Sequence, residues 1–239
     1  MRPKATRFAL LVCILGFGGC NGGGLTGQQN ASVTGAWQAN GTSTANPGTG
    51  FEIEMNLGET NGQVFSTAFL DFGSCSELLP SQATVTGTVS GSKVSLTVSH
   101  LLTMTGTVSG PEITGTYNCG SDSGTWTALQ VPLLNGNYGG TLLDRSSGQA
   151  TPFTAFVSAN SSYSITGSTT FIFSVCFGQL TFSGTQIGGH LGITGTDGSG
   201  DSIDFELTST DVSFGRLIGA YGVGGNCMGQ SGTATLTKQ

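Results

Sequence analysis

Apolar and polar side chains alternate along most of this chain. Phe51, Ile53, Met55 and Leu57 are separated by Glu52, Glu54 and Asn56. Val94, Leu96 and Val98 alternate with Ser95 and Thr97, and Ile203, Phe205 and Leu207 with Asp204 and Glu206. A period of two gives a strand one buried face and one wet face. On that reading Glu52 and Glu54 share the solvated face of one strand. Turn formers such as Glu59-Thr60-Asn61-Gly62, Ser90-Gly91-Ser92 and Ser109-Gly110-Pro111 interrupt the runs at hairpin spacing. Strands are predicted near 33–39, 50–58, 63–71, 83–89, 93–99, 102–108, 112–119 and 124–130. A second set is predicted near 136–143, 151–158, 162–169, 171–176, 179–186, 189–196, 202–209 and 214–236, the last holding two strands.

The two sets read as a duplication. Gly35-Ala36-Trp37 matches Gly136-Asn137-Tyr138, and Cys75 matches Cys176, each 101 residues later. Cys119 matches Cys227, and Ser123-Gly124-Thr125 matches Ser231-Gly232-Thr233, each 108 later. Short sequential strands favour an up-and-down barrel or a meander that nearly closes. The expected fold is therefore all-β: two tandem antiparallel barrel-like domains of about eight strands each, over 32–131 and 132–239. Thr-Gly-Thr recurs with Gly at inward positions, where a strand can bend at a barrel corner. The Gly-x-Trp opening and Ile113-Thr114-Gly115-Thr116-Tyr117 resemble calycin-type barrels such as avidins and lipocalins. That resemblance covers short fragments and implies no binding residues.

The first 19 residues follow another pattern. Arg2, Lys4 and Arg7 precede an apolar run from Phe8 to Phe17. A run of about ten residues suits a signal peptide and falls short of the roughly 20 a membrane span needs. Phe17-Gly18-Gly19-Cys20 resembles the lipobox of bacterial lipoproteins, with Phe17 where that family prefers Leu. The resemblance implies lipidation (diacylglyceryl and palmitate) at Cys20, which becomes the mature N-terminus; an ordinary secretory signal is the alternative. Residues 20–31 then form a polar, Gly-rich tether. Asn21 is not Asp, so by resemblance to enterobacterial sorting rules nothing marks retention in the inner membrane; the outer membrane or cell surface is favoured and the leaflet stays open.

Charge narrows the partners. After the signal, Lys93, Arg145, Arg216 and Lys238 face all 13 acids, a net charge of −9. Nucleic acid is excluded as a partner, because phosphate binding needs a basic footprint. The membrane is expected to be reached through the lipid anchor. An envelope protein, a glycan or an apolar ligand remain candidate partners. Setting aside Cys13 and Cys20 leaves four cysteines in an oxidising compartment. The repeat pairs Cys75 with Cys119 and Cys176 with Cys227, one bridge per copy.

Candidate chemistry is sparse. His100 and His190 are the only histidines and read as polar residues near turns. Asp197, Asp201 and Asp204 are weak metal candidates on a Gly-rich turn; a hairpin turn before an edge strand explains them as well. Trp37, Trp126, Tyr117, Tyr138 and Tyr221 fall at inward positions and read as core. No catalytic group and no cofactor is assigned. The expected function is a non-enzymatic, lipid-anchored envelope protein with a binding or structural role. A carrier of an apolar ligand within a barrel and a glycan-acting enzyme are the alternatives.

Overall fold

The computed structural model describes residues 31–73, 82–172, 177–225 and 229–239. Among them, sixteen strands form two closed antiparallel barrels in tandem. The first contains β1 (Gly35–Ser43), β2 (Gly50–Thr60), β3 (Gln63–Gly73), β4 (Gln82–Ser90), β5 (Lys93–Val98), β6 (Leu102–Ser109), β7 (Glu112–Cys119) and β8 (Asp122–Val131). The second contains β9 (Asn135–Asp144), β10 (Ala150–Ala159), β11 (Ser164–Phe171), β12 (Gln179–Ile187), β13 (His190–Thr196), β14 (Ser202–Ser209), β15 (Arg216–Gly224) and β16 (Ser231–Lys238). Each strand pairs with its neighbour in sequence, and β8 returns to β1 as β16 returns to β9. Closure leaves no free sheet edge. The all-β, two-barrel, repeated architecture is thus observed.

Of the expected strand 171–176, Phe171 instead ends β11, and 173–176 lie outside the described residues. The stretch 214–236 holds two strands, β15 and β16, as expected.

Local chemistry explains the hairpins. Asn61 and Gly62 both have positive φ, 52° and 77°, as a two-residue type I′ connection between β2 and β3 requires. Asn tolerates that region because its short polar side chain bonds locally.

Alternation fills the barrels. Trp37, Met55, Leu96, Met104, Ile113 and Trp126 occupy the first interior. Phe153, Phe182, Phe205, Leu207, Leu217 and Leu236 occupy the second. Trp37, Trp126, Tyr117, Tyr138 and Tyr221 are all buried, as period two implied. Trp37 Nε1 donates to Val33 O at 2.7 Å, and the Tyr138 hydroxyl donates to Phe214 O at 3.2 Å. These bonds satisfy the polar ends of rings otherwise given over to the core.

Inward glycines sit across from inward aromatics. Gly41 faces Phe51, Gly115 faces Trp126, Gly140 faces Phe153 and Gly167 faces Phe182 in the strand registers. At Gly140 a Cβ would lie 2.7 Å from Thr235 O and 2.8 Å from the Phe153 ring. The missing side chain is what makes room for the ring.

Candidate functional site

The two barrels meet at a joint built from polar side chains. Gln186, at the end of β12, is 0% exposed. Its Oε1 accepts from Leu134 N at 2.9 Å, and its Nε2 donates to Pro132 O at 2.9 Å and Gly188 O at 3.0 Å. One amide therefore grips the inter-barrel linker and the turn after its own strand. That turn, Gly188-Gly189, docks on the outer wall of the first barrel. Asn56 on β2 donates through Nδ2 to Gln186 O at 2.5 Å and accepts from Gly188 N at 2.9 Å. Gly189 N donates to Glu54 Oε2 at 2.5 Å. Gly188 has φ 57°, and a Cβ there would meet Trp37 O at 2.6 Å. Both the turn and the close approach demand glycine. Ala36, Val131 and Leu134 pack into the core of the second barrel, so the joint also has an apolar part.

Glu54 corrects an expectation. Alternation put it on a wet face beside Glu52, yet it is 0% exposed. Its outward face is covered by the docked turn. Gln38 Nε2 bridges the two carboxylates, at 2.9 Å from Glu54 Oε1 and 3.0 Å from Glu52 Oε1. The charge of Glu54 is thus buried with donors aimed at it, as burial of a carboxylate requires. The β2–β3 register shifts between Glu52 and Ile53, a bulge that bends the wall beside these residues.

His190 stands beside a turn, as expected, but it is buried there. It begins β13, is 6% exposed, and stacks on Phe69 of the first barrel with ring centroids 3.6 Å apart and planes 7° apart. Its Nε2 lies 2.9 Å from Glu206 Oε2. The Glu206 side chain is 66% exposed, so solvent screens the pair and it is worth at most about 1 kcal/mol. The ring clasps the two barrels together. His100, by contrast, is exposed in the β5–β6 turn with φ 64°.

Beside the joint lies an open groove of about 620 Å³. Gln38, Asn40 and Glu52 line it from the first barrel; His190, Glu206 and Thr208 line it from the second. Amides, hydroxyls and carboxylates there offer hydrogen bonds and negative charge to a polar partner.

The acidic turn is structural in what it bonds. Asp197 Oδ1 accepts from Ser199 N at 2.8 Å, Ser199 Oγ at 2.8 Å and Asp201 N at 3.0 Å. The Ser199 hydroxyl, then its neighbouring amides, hold the Asp197 carboxyl below the usual carboxylate range. Asp204 faces outward on β14 and accepts from Thr194 Oγ1 at 2.8 Å. Among the described residues, no group of three or more His, Cys, Asp or Glu gathers as metal ligands would.

The interior of the second barrel holds an apolar cavity of about 20 Å³ between Phe153, Phe182, Phe205, Leu207, Leu217 and Leu236. Small-molecule sites usually run to roughly 300–1,000 Å³. That interior void cannot hold a lipid chain. Cys119 ends β7 and is buried. Cys20, Cys75, Cys176 and Cys227, and the signal and tether before Ala31, lie outside the described residues.

No protein-family model matches this chain, and no curated protein matches it significantly. The residues themselves must carry the functional reading.

Proposed function

We propose that the chain is an exported, lipid-anchored cell-envelope protein that serves as a non-enzymatic binding platform, with the inter-barrel groove as its contact surface. The observation that carries this reading is the joint. Two barrels filled by their own side chains are clamped together by Gln186, Glu54, Asn56 and the Gly188-Gly189 turn, and the clamp holds the polar walls of a groove of about 620 Å³. His190 and Glu206, the pair that could have served acid–base chemistry, are engaged in holding those walls. The polar partner is an envelope protein or glycan, and the groove's carboxylates disfavour anionic ones.

Location follows from Cys20 and the sequence around it: cations, a short apolar run, two small residues and a thiol. The tether then carries the barrels clear of the bilayer. The sulfur of Cys119 is bonded rather than free, which supports a bridge to Cys75 and, by the repeat, one between Cys176 and Cys227. Closed eight-stranded barrels also suit the calycin-type likeness.

Metabolic labelling with an alkyne analogue of palmitate tests the anchor. The wild-type chain is expected to take up label and fractionate with membranes, and Cys20→Ser to lose both. Label retained in Cys20→Ser would overturn the assignment. Intact mass of the mature chain, read before and after reduction, checks the two bridges.

A further inference from the structure

The duplication provides an internal control for the walls of the inter-barrel groove. Strand registers align the copies residue by residue. His190 pairs with Thr208 and Thr208 with Ile218, as Lys93 pairs with Thr107 and Thr107 with Thr114. The same frame sets Glu206 against Thr105. Asn40 pairs with Glu52 on β1 and β2, as Thr141 pairs with Pro152 on β9 and β10.

The outer faces of β8 and β16 lie off the groove and agree. Thr125 and Thr127 in the first copy correspond to Thr233 and Thr235 in the second. On the groove the copies part. Glu206 stands where the first copy has Thr105, Ile218 where it has Thr114, and His190 where it has Lys93. On the facing wall, Asn40 and Glu52 stand where the second copy has Thr141 and Pro152. His190 belongs to the joint: its ring covers Phe69, and its Nε2 holds Glu206 Oε2 at 2.9 Å. Asn40 and Ile218 lie outside that clasp. Asn40 is exposed, Ile218 is 42% exposed, and the Glu206 side chain is 66% exposed.

These side chains select a kind of ligand. The Asn40 amide donates and accepts, the Glu52 and Glu206 carboxylates accept, and the Thr208 hydroxyl does both. Planar amides and carboxylates match vicinal sugar hydroxyls, which bond them two at a time, and such bonds to a carboxylate are the strong ones. The C–H face of a sugar ring needs an aliphatic shelf, which Ile218 supplies. A protein partner binds chiefly through aromatic or arginine anchors seated in pockets. The rings on this lining, Phe69 and His190, lie face to face at 3.6 Å and leave no such pocket between them. No lysine or arginine lines the groove among the described residues, so an anionic polymer meets two carboxylates and no counter-charge. The volume, about 620 Å³, falls within the roughly 300–1,000 Å³ of small-molecule sites.

We propose, on the reading of the groove as the contact surface, that its occupant is a neutral glycan. Asn40, Glu52, Glu206 and Thr208 bond the sugar hydroxyls from two sides. Ile218 carries the apolar face of one ring.

The test is calorimetric titration of the full chain in a polyoxyethylene detergent, which has no sugar head group. The probes are maltohexaose, laminarihexaose and chitohexaose, with hexagalacturonate as the anionic counterpart. Saturable binding of at least one neutral probe is expected, with hexagalacturonate weaker by about tenfold or more. Asn40→Ala and Ile218→Ala, both at exposed positions, should each weaken that binding by about fivefold. Leu143→Ala, on the outer face of β9 away from the groove, should bind as the wild type does. A photo-cross-linking side chain in place of Asn40, introduced in the producing cells, separates the glycan from the groove. An adduct with an envelope protein, without binding of any neutral probe, would overturn the glycan and keep the groove as a contact surface. Neither probe binding nor adduct would overturn both. Hexagalacturonate binding as tight as the neutral probes, or wild-type affinity in both Asn40→Ala and Ile218→Ala, would also overturn the glycan site.

Discussion

Replacing Gln186 with alanine should loosen the two barrels from one another while leaving each closed. The side chain makes three hydrogen bonds, to Leu134 N, Pro132 O and Gly188 O. The bonds to Leu134 N and Gly188 O are buried, and the one to Pro132 O is partly buried. Stranding a buried polar group costs about 1–3 kcal/mol, so the two buried groups together lose about 2–6 kcal/mol. Pro132 O can turn to water and loses little. Against this, alanine restores the roughly 2 kcal/mol of rotamer freedom that the ordered glutamine gives up. The net cost is about 2 kcal/mol, the centre of a range of about 0–4 kcal/mol, and it falls on the joint. Both tryptophans, Trp37 and Trp126, lie in the first barrel, so their fluorescence reports that barrel alone. Far-UV circular dichroism reports both. In urea the two signals of the wild type should trace one coincident transition, because the joint couples the barrels. In Gln186→Ala they should separate into two transitions. A variant within about 0.5 kcal/mol of wild type, with coincident signals, would show that the joint does not carry the coupling.

Other substitutions probe the barrels and their turns. Gly140→Ala places a Cβ against the Phe153 ring and Thr235 O, and overpacking of this kind should cost about 1–3 kcal/mol in thermal or urea unfolding; an unchanged midpoint would mean that the ring can shift. Asp144, Asp197 and Asp211 each have a folded pKa depressed by donors from nearby serines. Depressed carboxyl groups contribute stability above their unfolded pKa of about 4 and lose it as pH falls toward the folded value. Stability should therefore hold from neutral pH down to about 5 and fall below 4. Asp211→Asn should flatten that acid limb, and an acid limb as steep as the wild type's would count against the Ser213 donors as the cause.

The strands were legible because each inward side chain obeys one rule, burial at every second position. The sites were less legible because that rule describes a single sheet in water. Glu54 has the sequence signature of a solvated residue. It is buried only because a turn more than 130 positions away docks on it, a contact no local pattern encodes. His190 is near a turn, as expected, but that turn is the docking element, so nearness to it means burial. Phe171 opens an apolar run in the sequence, while the fold uses it to finish β11. The ends of the two barrels were less legible still: an offset of 101 sets Phe51 against Pro152, and only the strand registers show that the pair Gly41–Phe51 has been exchanged for Leu142–Thr151.

That exchange shows how the two copies came to differ. A barrel of eight strands has a fixed circumference, so its interior tolerates substitutions only if total volume is roughly kept or a void is accepted. The first copy keeps the Phe51 and Tyr117 rings in contact and satisfies both oxygens of Asp122. It spends its polar groups on closing itself. The second copy exchanges the pair Gly41 and Phe51 for Leu142 and Thr151, so volume lost at one position returns at the other, and it fixes Asp144 Oδ1 with two serines at the end of β9. Each copy then has a distinct part in the joint: the first contributes the wall that carries Glu54 and Asn56, and the second contributes the Gly188-Gly189 turn that docks on it.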